Sequence, residues 1–271
     1  MNARRLGWAA FLGAMVVFAI LPLYWMLVAS LKAGKQQLVL GNPWWPENFT
    51  LAHYAGLLSS PDFGRLVLNT AVVTGATVMI SLVASTLAAF ALAYYRLPHS
   101  RAIALSLFAS YLLPAGVLFL PIAVMLTRLH LTNSVLALVV TYPSLVIPFG
   151  TWVLWTFFNR LPSDLLDLAR AEGARPLQVL SYVLLPLSVP ALAAVGLFAV
   201  AVVFNDYLYT FTLVSDPSGM TLMADVGSNL VDIDDPGATF AEILLGVAPV
   251  AFLCAFFADT YARGLGTGVV R

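Results

Sequence analysis

The apolar residues of this chain come in six long blocks, approximately Trp8 to Leu31, Leu66 to Tyr95, Ala102 to Leu126, Val135 to Phe158, Ser188 to Leu213 and Phe240 to Ala262. Each holds roughly 20 residues or more, which is what a helix rising about 1.5 Å per residue needs to cross a hydrocarbon layer of about 30 Å. Hydrophobic residues make up 61% of the 271 positions and charged ones 10%, and mean hydropathy is +0.92, outside the range of water-soluble domains. The sequence therefore predicts an all-α integral membrane protein with six transmembrane helices. The first block is too long for a signal-peptide core and no small-residue cleavage site follows it, so it reads as a span.

Net charge is zero, and charge becomes informative only when sorted by side. With the N-terminus in the cytoplasm, the inner segments hold nine cations: Arg4, Arg5, Arg96, Arg101, Arg160, Arg170, Arg175, Arg263 and Arg271. The outer segments hold four, Lys32, Lys35, Arg65 and Arg128. An excess of Lys and Arg marks the cytoplasmic side, so both termini and the segment 159–187 are expected there, with Lys32 and Lys35 running against the rule locally. Glu47, Asp62, Asp216, Asp225, Asp232, Asp234, Asp235 and Glu242 all fall outside. Cys254 is the lone cysteine, so no intramolecular disulfide can form.

Two outer segments are long: Lys32 to Asp62, with turn chemistry at Asn42-Pro43-Trp44-Trp45-Pro46, and Val214 to Thr239, rich in Asp, Pro and Gly. Trp44 and Trp45 suit an interfacial anchor better than a sugar-stacking platform. Prolines fall in the spans at Pro22, Pro114, Pro121, Pro143, Pro148, Pro190 and Pro249. A proline removes a donor and kinks its helix, which membranes tolerate where protein or water re-satisfies the freed carbonyls.

The polar segment 159–187 does not read as a loop. Ser163 after Pro162 is a suitable N-cap, and Asp164 and Asp167 place negative charge in the first turn. Leu165, Leu168 and Ala169 share one face, while Arg170 and Glu172 point elsewhere. Gly173 ends this helix, Ala174-Arg175 leads on, and Pro176 opens a second helix with Leu177, Leu180 and Leu184 as its stripe up to Pro186. Two short helices around a glycine make a compact knob.

The run Asp167-Leu168-Ala169-Arg170-Ala171-Glu172-Gly173-Ala174, with Val183-Leu184-Leu185-Pro186 ending 13 residues after Gly173, resembles the EAA loop of ABC importer permeases. There the pattern is Glu-Ala-Ala, three variable residues, Gly, and a fixed interval to Ile-x-Leu-Pro. Asp167 stands for the usual Glu and Leu168 for Ala. Ser30-Leu31-Lys32, Asn69-Thr70, Asn205-Asp206-Tyr207 and Arg263-Gly264-Leu265-Gly266-Thr267-Gly268 look like the MalG-type, carbohydrate-importing subfamily.

The resemblance implies one permease domain over 1–271, the type I importer (MetI-like) fold, and a bacterial cytoplasmic-membrane location. Its implied partners are a second MalF-like permease, two ABC ATPases, an extracytoplasmic substrate-binding protein, membrane lipid and a sugar, with no nucleic acid. ATP and Mg would be bound by the ATPases and no cofactor by this chain, whose only lysines, Lys32 and Lys35, lie outside any phosphate-binding loop. ATPase coupling would fall to Asp164, Asp167, Ala169, Arg170, Glu172, Gly173, Ala174, Arg175 and Pro176.

A substrate pathway is the harder reading. Asn205 and Asp206 lie in the fifth block, where an ionisable group is costly unless it faces a cavity or a partner. With Tyr207 and Tyr209, and with Asn69 in the second block, they offer acceptors and aromatic faces suited to a sugar; bonds to neighbouring helices are the plainer alternative. A non-sugar solute such as glycerol phosphate, or a proton-coupled carrier using Asp206, are rival functions. An intramembrane hydrolase is disfavoured, because His53, His99 and His130 fall in expected loops and Cys254 has no neighbouring histidine.

Overall fold

The computed structural model describes residues 3–33, 44–95, 97–229 and 235–266. Lys35, Asn42, Pro43, Arg96, Asp232, Asp234, Thr267, Gly268 and Arg271, singled out above, lie outside the described residues. In chain order the helices are α1 (Ala3–Ser30), α2 (Ala52–Ser59), α3 (Pro61–Tyr94), α4 (Ser100–Tyr111), α5 (Ala115–Arg128), α6 (Val135–Phe158) and α7 (Ser163–Ala171). Then come α8 (Pro176–Leu187), α9 (Val189–Phe204), α10 (Leu208–Leu213), α11 (Leu222–Asn229) and α12 (Pro236–Gly266).

Among the described residues, four helices are long and apolar enough to cross a membrane alone: α1, α3, α6 and α12. The number reaches six when each of two bent pairs is counted as one span, α4 with α5 at 92° and α8 with α9 at 79°. The third block is thus not one helix. Pro114 has no N–H and disfavours helical backbone at Leu113, so α4 ends at Tyr111 and Pro114 stands before α5. The fifth block is also divided, into α9 and α10, because the Asp206 carboxylate accepts the amides of Tyr209 (3.2 Å) and Thr210 (3.1 Å) and starts a new helix.

Pro22, Pro121, Pro143, Pro148 and Pro249 lie inside helices as expected. Pro114 and Pro190 instead stand at helix starts, where a missing N–H removes no helical bond. The segment 215–229, expected as a loop, carries a 3₁₀ turn at Pro217–Gly219 and α11. His53, expected in a loop, lies in α2.

The chain clusters into two compact units, Met1–Arg65 with Asp225–Pro249, and Leu66–Ala224 with Val250–Arg271. In the first, the segment after α1 pairs with the strand-like stretch before α2, through Lys32 and Phe49. Ser30 and Tyr54 bond through their hydroxyls at 2.6 Å. The His53 ring sits between the Lys32 carbonyl (3.1 Å) and the Asp235 carboxylate (3.4 Å).

In the second unit α6 is the central helix, packed by α4, α5, α9 and α10. Its buried row Leu138, Tyr142, Val146, Gly150, Leu154 and Phe158 recurs every fourth residue, the ridge that a helix offers to its neighbours. Gly150 marks a close crossing: a Cβ there would stand 2.6 Å from Ser85 Oγ on α3 and 2.9 Å from Val195 Cγ1 on α9. Small residues let membrane helices approach this closely.

Candidate functional site

The knob and a cavity are the candidate sites of the second unit among the described residues. Gly173 has φ +76°, a left-handed conformation costly to residues with a Cβ. The Gly173 amide donates to the Arg170 carbonyl and the Ala174 amide to the Ala169 carbonyl, both at 3.0 Å. This pair of bonds is the Schellman helix stop. Pro176 then opens α8, and the Arg175 amide is held by Gln178 Oε1 at 2.8 Å.

The knob's faces differ from the sequence expectation. Leu166, Ala169 and Ala174 pack with Leu161 against a core of Phe90, Tyr94, Phe158, Val179, Leu180 and Leu184. Leu165 and Leu168 point outward, and Leu168 is 62% exposed. Leu177, expected in the stripe with Leu180 and Leu184, also points out at 68%, beside Tyr182 at 79%. The helix begins with Ser163 as its first residue and Pro162 preceding it, so Ser163 is not the N-cap.

The charged residues of the knob divide into anchored and exposed. Arg170 donates to the Asp167 carboxylate (3.4 Å) and to the backbone carbonyl of Tyr94, with its guanidinium 4.3 Å from the Tyr94 ring centroid. Asp164 and Glu172 are exposed, as is Arg175, while Pro176 is half-buried.

The cavity, of about 870 Å³, opens beside the break between α4 and α5 and the break between α9 and α10. Ser110, Tyr111 and Pro114 line it from the third span, Ser144 and Pro148 from α6, and Asn205, Asp206 and Tyr209 from the fifth. Tyr111, Phe149 and Phe198 form an aromatic cluster beside it, with centroids 4.2 to 5.5 Å apart. Asp206 is a structural residue as well as a lining one: it accepts the Tyr142 hydroxyl at 2.7 Å in addition to the two amides of α10. Asn205 donates to the Ala201 carbonyl at 2.9 Å and remains exposed.

Of the five residues proposed for a pathway, Asn205, Asp206 and Tyr209 line this cavity. Asn69 and Tyr207 do not. The Asn69 amide donates to the carbonyls of Ser218 (2.8 Å) and Met220 (3.0 Å), holding the segment that follows α10. Tyr207 stacks on Phe211 at 5.0 Å. Sequence reasoning missed Ser110, Tyr111 and Ser144; their signal was nearness to Pro114 and Pro148, which line the same space.

A multi-pass helical membrane protein with a cavity at its broken spans and a two-helix knob defines a membrane transport component. The chain belongs to the family described as binding-protein-dependent transport system inner membrane component, which matches residues 81–266. It is therefore a transport component of the membrane and not an enzyme.

It is 28% identical over 259 residues to the diacetylchitobiose uptake system permease protein NgcG of Streptomyces coelicolor, covering 94% of this chain and 85% of that one. It is 29% identical over 259 residues to the sulfoquinovosyl glycerol transport system permease protein SmoH of Agrobacterium fabrum, covering 95% and 90%. A chain of the crystal structure of a bacterial ABC transporter involved in the import of the acidic polysaccharide alginate superposes with a TM-score of 0.82 at 21% identity, over 94% of this chain and 96% of that one. The likeness establishes the fold, that of an ABC importer permease.

Proposed function

We propose that this chain is one permease half of an ATP-driven carbohydrate importer, paired with a second, homologous permease and fed by an extracytoplasmic binding protein. The names of NgcG and SmoH support a glycoside as substrate. A cavity lined by hydroxyls, an amide and phenol rings supports the same class, since sugars are held by hydrogen bonds and aromatic faces. Asn205 and Tyr111 are the side chains offered to it, with Asp206 and the buried Tyr209 holding the wall in place.

The observation that carries the coupling role is the outward face of the knob. Leu165, Leu168, Leu177 and Tyr182 turn away from the bundle while Leu166 and Ala169 anchor the same helices to it. An apolar patch on a rigid, capped element suits a docking surface, and here the occupant is a separate ATPase chain that binds ATP and Mg. The sorting of arginines supports a cytoplasmic position for the knob and both termini.

Co-purification tests this. The tagged chain extracted from its host membrane is expected to bring down an ATPase and a second permease, and Leu168→Asp is expected to lose the ATPase while inserting normally. Recovery of the wild-type chain alone, with uptake driven by a proton gradient in vesicles containing only this chain, overturns it.

A further inference from the structure

We infer that α3 is a transmission rod, held at one end by Arg170 of the knob and at the other by the outer segment 218–222. The inference rests on the docking reading above and adds the route by which movement of the knob crosses the membrane.

At the knob, Arg170 grips the last residue of α3. The final carbonyls of a helix have no intrahelical donor and carry the negative end of its dipole, so a guanidinium there is held by bond and by field. Arg170 supplies this to the Tyr94 carbonyl and lies over the Tyr94 ring, which is itself stacked with Phe90 at 4.8 Å. Asp167, one turn earlier on α7, holds the same guanidinium from behind at 3.4 Å. The acid of the EAA-like motif is thus engaged within the knob.

At the far end, three polar bonds tie α3 to the outer segment. Asn69 donates to the carbonyls of Ser218 and Met220, and the Thr70 hydroxyl accepts the Leu222 amide at 2.8 Å. Residues 69 and 94 are separated by about 38 Å of helix at about 1.5 Å per residue, more than the hydrocarbon thickness of about 30 Å. The two clamps therefore lie near opposite membrane faces.

Between them the helix is continuous. α1, α5, α6 and α12 each contain proline, whereas α3 has none after its first residue. Proline is the commonest cause of a sharp bend, so α3 is the long span built to move as one piece. A shift of the knob is delivered to 218–222 without being absorbed on the way.

The test uses the complete importer in proteoliposomes, with ATP hydrolysis stimulated by loaded binding protein and uptake per ATP as readouts. Arg170→Ala and Asn69→Ala are each expected to cut both by about tenfold, within the usual range of site-to-site coupling, with the ATPases still co-purifying. Arg170→Lys, which keeps a donor for the carbonyl, should recover part of the loss. The double variant should be no worse than the worse single one, because both break one route. Multiplied losses in the double variant, or unchanged coupling in Arg170→Ala, overturn the rod. Loss of ATPase retention in Arg170→Ala also overturns it, making Arg170 a docking residue instead. Failure of the wild-type chain to retain an ATPase strikes the docking reading itself, and so the two failures are distinguishable.

Discussion

Replacing Gly173 by alanine isolates what the knob's backbone contributes. The Cβ would enter open space, with no atom within 4 Å, so no clash contributes. What remains is the φ of +76°, which costs a residue with a Cβ about 1–2 kcal/mol. The chain can escape that cost only by giving up the Gly173-to-Arg170 and Ala174-to-Ala169 bonds, and with them the seat of Ala174 on the core. Continuing the helix offers no relief, because Pro176 disfavours helical backbone at Arg175.

The penalty bounds the effect: the competent knob loses at most a factor of about 5–30 in population, and apparent affinity for the ATPase falls by no more than that factor. Titration of ATPase into nanodiscs holding the permease pair measures it. Asn tolerates the left-handed region better than Ala, so affinity should rank Gly, then Asn, then Ala. Alanine ahead of asparagine, or a loss well beyond 30-fold, would refute the backbone argument and mean that the partner's surface touches Gly173.

Two further outcomes follow from the packing. Gly150→Ala forces a Cβ to 2.6 Å from Ser85 Oγ and 2.9 Å from Val195 Cγ1, an overpacking of roughly 1–3 kcal/mol that should lower the thermal inactivation temperature in detergent and be partly relieved by Val195→Ala. Asp206→Ala removes the acceptor for the Tyr142 hydroxyl and the Tyr209 and Thr210 amides, costing about 1–3 kcal/mol for groups left unmet. Its level in membranes should drop, whereas Asp206→Asn, which keeps one acceptor oxygen, should accumulate and be judged by uptake alone.

Much of the fold could be read from hydropathy because a bilayer demands length and apolarity above all. What hydropathy could not see were interruptions that stay apolar: Leu112-Leu113-Pro114 lies inside a hydrophobic run, and only the geometry of proline divides it. The knob shows a different limit. Leu165 and Leu168 are three residues apart, and so are Leu166 and Ala169, so helical period alone allows either pair to face the bundle. Packing against Phe158 and Leu180 chose the second. Asn69 is the extreme case, since its partners lie 149 and 151 residues away and nothing local marks them. Gly173 stood out because a single residue meets a requirement of its own backbone.

The division of the third span also bears on how the protein is made. α4 has 12 residues and α5 has 14, giving lengths of about 18 and 21 Å against the roughly 30 Å of hydrocarbon. Neither half qualifies alone as a crossing segment. During synthesis α4 must wait beside the insertion machinery until the chain through Arg128 has emerged, and then enter the bilayer together with α5 as one bent unit.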